Sequence, residues 1–218
     1  MARGFWVSLT AAGALIASPH VHVSAQTVMP PGSAANLCGP LENAFGPFDY
    51  RTIAYENKRL VESAHFTPQV ETLRAGQNGT IAGDLDYTLR AIPNHPRALM
   101  SMTRFAEIQR TSRPGGSRYP VECYFDRAVR FAPDDPMVRV LYGIFLAKAR
   151  RSDEARQQLQ RADSSPNTDP QIVYNLGIGY LELHDFERAK LYARKARDLG
   201  IPFSGLRDRL RRAGHPVD

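Results

Sequence analysis

From residue 60 onward the apolar residues recur at helical spacing. The pattern is clearest in two stretches, DPMVRVLYGIFLAKARRSDEARQQLQRA from Asp135 and DPQIVYNLGIGYLELHDFERAKLYARKA from Asp169. Each opens on Asp-Pro, runs through a mostly apolar helix, turns, and continues as a second helix with small residues on one face. Asp135 recurs as Asp169, Gly143 as Gly177, Ala155 as Ala189 and Ala162 as Ala196, always at the same offset. That shared offset, about 34 residues, marks a helix-turn-helix unit copied in tandem. One such unit cannot bury its own apolar face, so it must stack on neighbours. Asp-Pro at each start supplies a capping carboxylate and a proline where no amide donor is lost. Gly177 is expected to face Ala189 within its hairpin, and Ala196 to lie where the next helix docks. Bulkier side chains there would push the axes beyond their usual separation of about 8–10 Å.

The same offset reaches further back. Ala128 precedes Ala162 by one period, and Phe125 precedes Leu159 by one period. Between Pro96 and Ala128, however, TSRPGGSRYP (111–120) is inserted between the two helices. Earlier still, GDLDYTLRAIPNHP (83–96) reads as another second helix, with a partner at roughly 67–75 preceded by a segment near 55–66. At the other end SGLRDRLRRAG (204–214) sets Leu206 and Leu210 on one face and charge on the other, as a capping helix does. The helical units are thus about 60–95, 96–133, 136–167 and 170–202, with a cap and tail over 203–218. In front of them, 26–36 (QTVMPPGSAAN) reads as a flexible leader. An arm follows (CGPLENAFGPFDY, 38–50), irregular because of its two Gly-Pro pairs, with one short helical turn expected at 41–45. Leader and arm together occupy 26–59.

These residues resemble the tetratricopeptide repeat. Val173-Tyr174-Asn175-Leu176-Gly177 followed by Tyr180 is similar to that family's first helix, and Ala189 and Ala196 to its second. The unit from 136 departs, with Tyr142 and Leu146 where Leu and Tyr are usual. The front of the chain is similar to exported proteobacterial proteins of this class. The resemblance implies an all-α, right-handed superhelix of about four helix pairs whose first helices line a concave groove. Arg97, Met100 and Arg104 would come from one unit, and Met137, Val140, Ile144 and Lys148 from the next. Gln171, Tyr174, Ile178 and Glu182 would come from the last. That is an apolar floor with a few positive groups, suited to an extended peptide or a helix of a partner. A carboxylate clamp is disfavoured, because Val140 and Ile144 stand where a polar group is needed beside Asn175.

Charge and the N-terminus bear on the partner. The formal net charge is +6, with Arg outnumbering Lys 24 to 4. A basic chain suits nucleic acid, anionic lipid or acidic protein. Met1-Ala2-Arg3, the apolar run 4–17 and Val23-Ser24-Ala25 follow the pattern of a cleavable signal peptide over 1–25, which predicts a periplasmic or secreted protein. An uncleaved anchor is the alternative. Export takes the chain away from nucleic acid and leaves a protein or peptide partner in the cell envelope. Peripheral contact with lipid is open to Arg207, Arg209, Arg211 and Arg212. No segment after the signal is long and apolar enough to span a bilayer. In an oxidising compartment Cys38 and Cys123 are candidates for a disulfide tying the arm to a helix in mid-chain.

Catalytic chemistry is hard to find. His65, His95, His184 and His215 are scattered, with none at metal-ligand spacing. Gly115-Gly116 lacks the Lys-Ser/Thr ending of a phosphate loop. No cofactor or metal is expected. The leading expectation is a non-enzymatic scaffold or adaptor. The alternatives are a structural subunit without a peptide groove, or an enzyme in which Glu42 and Asp49 of the arm converge with His65 or His95.

Overall fold

The computed structural model describes residues 1, 37–164, 169–201 and 204–217. The expected signal peptide and the leader 26–36 lie outside them, Met1 apart. Among the described residues the chain is all-helical, with ten helices and no strand. They are α1 (Tyr55–His65), α2 (Pro68–Glu71), α3 (Ile81–Ala91), α4 (Pro96–Gln109) and α5 (Val121–Phe131). There follow α6 (Pro136–Lys148), α7 (Ser152–Asp163), α8 (Pro170–Glu182), α9 (Phe186–Asp198) and α10 (Gly205–Arg212).

The period is visible in the caps and turns. Asp135 accepts from the amides of Met137 and Val138 to start α6, and Asp169 accepts from Gln171 to start α8. At α4 the same job falls to His95, whose Nδ1 accepts from the Ala98 amide at 3.2 Å. Each of these helices has Pro at its first position. Arg150 and His184, one period apart, both take a left-handed φ (62° and 57°) in the turn to the second helix. Arg110 does likewise after α4. The step from His95 to Asp135 equals the step from Arg110 to Arg150, and both exceed one period. The break in the period therefore falls after Arg110, in the insertion.

The hairpins α6–α7 and α8–α9 are the tightest pairs, and α4, α6 and α8 pack side by side. Buried Leu99, Met102, Tyr124, Phe125 and Leu141 hold the first half together, and Leu159, Leu176, Tyr180 and Tyr192 the second. Met137 packs against both. A Cβ on Gly177 would meet Leu206 Cδ2 at 2.4 Å and Tyr192 Cβ at 3.1 Å, with Ala189 O at 3.7 Å. Gly177 therefore does face Ala189, but its tightest neighbour is α10. Leu206 and Leu210 are buried, so α10 covers the free side of the last pair.

The front departs from what the sequence predicts. The first pair is α1 with α3, and α1 begins at Tyr55, inside the stretch assigned to the arm. The expected helix at 67–75 shrinks to the four residues of α2. The chain then turns at Leu73 (φ 61°) into a Gly- and Asn-containing loop that favours turns over helix. That loop is held by Asp84, which accepts from the amides of Gln77 and Asn78. The expected turn of helix at 41–45 is absent as well. Gly39 and Gly46, on either side of the stretch, take left-handed φ values (69° and 91°), and a residue before proline avoids the α region.

The arm is ordered by other means. Cys38 and Cys123 form a disulfide with Cα atoms 5.0 Å apart. Arg127, buried to 1 % exposure, donates to the carbonyls of Cys38 and Pro40, and Arg130 donates to Gly39 O at 3.0 Å. Arg90 reaches Asn43 Oδ1 at 2.7 Å, and the Phe48 amide donates to Ala91 O at 2.9 Å. Phe45 and Phe48 pack on Val61, Ala91 and Ile92. The arm thus lies along α3, α5 and the turn after α3.

Candidate functional site

The helices that begin each unit, α4, α6 and α8, carry a shared face. On α4 the helical period places Arg97, Met100, Arg104 and Glu107 outward, and Met100 and Arg104 are exposed. Between this row and α8 lies a hollow of about 340 Å³ floored by Phe125, Leu141, Ile144, Phe145 and Ile178. Its rim holds Met100, Arg104, Glu107 and Lys148. A second hollow, also about 340 Å³, lies against α5 and is walled by Ala106, Val121, Thr111, Ser112 and Pro120. The two share Thr103, Glu107, Phe145 and Lys148. Lys148 Nζ donates to Glu107 Oε1 at 2.8 Å, so an ion pair marks the boundary between them.

The floor is stiff. Phe125 stacks on Tyr142 at a ring separation of 5.2 Å and lies 5.1 Å from Phe145. The Tyr142 hydroxyl donates to Glu122 Oε1 at 3.0 Å, and burial pushes its pKa well above the usual phenol range. The base of the insertion is held by buried Asp86, which accepts from the Tyr124 hydroxyl at 2.5 Å and the Arg118 amide at 3.0 Å. A third hollow, about 440 Å³, lies on the other side of the α4 row and is lined by Tyr55, Lys58, Arg59, Glu62, Phe66 and Arg97.

Of the eleven residues expected in the groove, Met100, Arg104, Ile144, Lys148 and Ile178 converge on the first hollow. Arg97 lines the third, where its guanidinium pairs with Glu71. Val140 must be withdrawn: it is fully buried, packed with Leu159 and Ile172 in the second-half core. Met137 is half-buried between the two cores, and Asn175 Nδ2 points at its sulfur at 3.6 Å. Gln171 is exposed in the first turn of α8, away from the hollows. Tyr174 lines a small cavity with Leu206 and Arg207 of α10, and Glu182 accepts from Arg209 Nη2 at 2.7 Å. Both have been claimed by the capping helix.

Residues not anticipated from the sequence include Glu107, Phe145 and Phe125, whereas the insertion 111–120, long, glycine-rich and basic, is a candidate contact site on its sequence alone. Glu107 is the one with a readable signal, since Arg104 and Glu107 lie one turn apart on one face of α4. Phe125 comes from a second helix and reaches the floor only through the packing of α5 on α4 and α6.

Of the four groups considered for catalysis, three are tied elsewhere. Glu42 is exposed on the arm. Asp49 accepts from Arg51 and Asn94, which hold its carboxyl well below the usual range. His65 Nδ1 lies 2.9 Å from Asp84 Oδ1. His95 is sealed at 0 % exposure between Tyr50 and Phe66, with Nε2 3.1 Å from Glu62 Oε1. Because its Nδ1 accepts an amide proton, its own proton sits on Nε2 and is donated to Glu62. Burial pushes this imidazole down despite that carboxylate, whose own pKa is lowered by the same bond.

Among the described residues no three His, Cys, Asp or Glu side chains gather as a metal site. No described helix is long and apolar enough to cross a membrane. No family model, no curated protein and no solved structure matches the chain.

Proposed function

We propose that this chain is a tetratricopeptide-type repeat protein that works as a non-enzymatic binding scaffold of the cell envelope. It holds a peptide or helix of a partner against the face of α4, α6 and α8. The observation that carries this reading is the meeting of Met100, Arg104, Ile144, Lys148 and Ile178, from three successive units, on one apolar hollow. Stacked repeats produce such a face without any one unit being able to bind alone. The chain's own arm does not occupy it, since the arm's hydrogen bonds run to α3, α5 and the turn after α3. The envelope location rests on the pattern of residues 1–25 and on the use of both cysteines in a disulfide, which suits an oxidising compartment.

Site-specific photocrosslinking tests it. A photocrosslinking amino acid replaces Met100 in the groove in one strain and Leu191, exposed on α9, in another. The expected result is a discrete crosslinked partner from position 100, absent from position 191 and lost with Arg104→Glu. Equal crosslinking at both positions, or none at position 100, contradicts the groove. Recovery of the chain from the cytoplasm with residues 1–25 attached contradicts the location.

A further inference from the structure

The groove has a charge imbalance. Every carboxylate lining the three hollows is engaged. Glu62 faces His95 and Lys58, Glu71 pairs with Arg97, Glu107 with Lys148, and Glu122 with Arg151 and Tyr142. Two guanidiniums on the same lining, Arg59 and Arg104, are exposed and have no acidic partner among the described residues. Arg104 stands at the rim of the first hollow, with Met100 one turn before it and Glu107 about one turn after.

Resting on the reading of the groove as a polypeptide site, we infer that the occupant is an acidic, apolar linear segment of another polypeptide. Its carboxylate pairs with Arg104, one large apolar side chain fills the first hollow, and a second fills the hollow beneath the 111–120 loop. The segment crosses over the Glu107–Lys148 bridge, the ground common to both hollows. Charge selects this chemistry. A purely apolar segment would strip water from Arg104 and leave its charge unpaired, which is unfavourable. A basic segment would meet an already paired Glu107 and an unpaired Arg104, and would be repelled. A carboxylate beside an apolar anchor gains a charge-assisted bond to a planar donor that the bound segment itself covers. The second hollow has a wall that unbroken repeats lack, because Thr111, Ser112 and Pro120 belong to the insertion. The insertion thereby sets how far apart the two apolar anchors must be. An extended segment places same-side residues about 7 Å apart, two positions on in sequence, whereas a helix does so at three or four positions. The spacing of the anchors therefore reports the bound conformation.

The test is selection of binders from a library of random linear dodecapeptides displayed on phage, with the full chain immobilised. Enriched peptides are expected to carry Asp or Glu within a few positions of two large apolar residues. Arg104→Glu should weaken the synthetic versions at least tenfold, Arg104→Lys by much less, and Arg194→Glu, the same charge change on the outer helix α9, not at all. Thermal melts of the three variants check that the fold is kept. Enriched peptides without acidic residues, equal losses for Arg104→Glu and Arg194→Glu, or preferential binding of a single-stranded oligonucleotide would each overturn the inference. If peptides bind without acid preference, the groove stands and only the ligand chemistry falls. If no peptide binds, both fall.

Discussion

His95 occupies a position that Asp135 and Asp169 fill in the two later units, and the exchange changes how the cap responds to acid. A capping aspartate above its pKa is always an acceptor, whereas an imidazole caps only while Nδ1 is unprotonated. The unfolded chain takes up a proton on this ring near the ordinary value of 6.5, and the folded chain only at lower pH. Stability is therefore full above pH 6.5 and drains as the pH falls below it, by at most about 1.4 kcal/mol per pH unit. Burial sets the net direction; of the charged groups facing the ring, Glu62 opposes it, and Arg97 and Lys58 act in the same sense as burial. Glu62 adds a loss in the same sense below its ordinary value of 4.5. Urea denaturation between pH 7.5 and 5 should show this slope in the native chain and lose it in His95→Asn, which keeps a capping acceptor. A flat profile in the native chain would refute it. At Gly177 the limit is steric. Gly177→Ala should cost about 1–3 kcal/mol, because the new methyl would press on Tyr192 Cβ at 3.1 Å, an atom fixed to the backbone of α9, and would displace the end of the Leu206 side chain. Gly177 is readable in the sequence from its offset with Gly143. Its tightest partner is not, since Leu206 lies outside the repeat and reaches Gly177 through the packing of α10 on α8.

At the scale of elements, the arm and α10 are held by opposite means. Helix α10 is docked by Leu206 and Leu210, at 1 % and 0 % exposure. Removing 204–218 should expose Leu176, Tyr192 and Ala196 and lower the melting temperature, with hydrogen-exchange protection lost first in α8 and α9. The arm has a few aromatic contacts, a disulfide and a buried guanidinium whose polar partners are main-chain carbonyls. Replacing both cysteines by serine opens a loop spanning 85 residues and should cost about 2–4 kcal/mol. Protection should fall over 38–50 while 136–198 keeps its own. Equal loss throughout would mean that the arm and the repeats unfold together. The helices that keep the repeat period are legible because cap, turn and small-residue positions all point the same way. The front is not: α1 carries no Asp-Pro start, and the loop after α2 is organised by Asp84, whose role depends on contacts distant in sequence.

The whole molecule brings together what no single unit contains. Five of the anticipated groove residues meet on one hollow because α4, α6 and α8 lie side by side. Tyr174 and Glu182 sit at equivalent helical positions, yet α10, the helix that packs next on α8, covers them. Periodicity foretells which face a residue occupies, and the packing of the neighbouring element decides whether that face stays open. Amide hydrogen exchange on the full chain, with and without a selected peptide, puts this most directly. If the face of α4, α6 and α8 is the binding surface, added protection will fall on those helices and on the base of the 111–120 loop, and Arg104→Glu will abolish it. Protection on α7 and α9 instead, or an unchanged pattern in the Arg104→Glu variant, would contradict it.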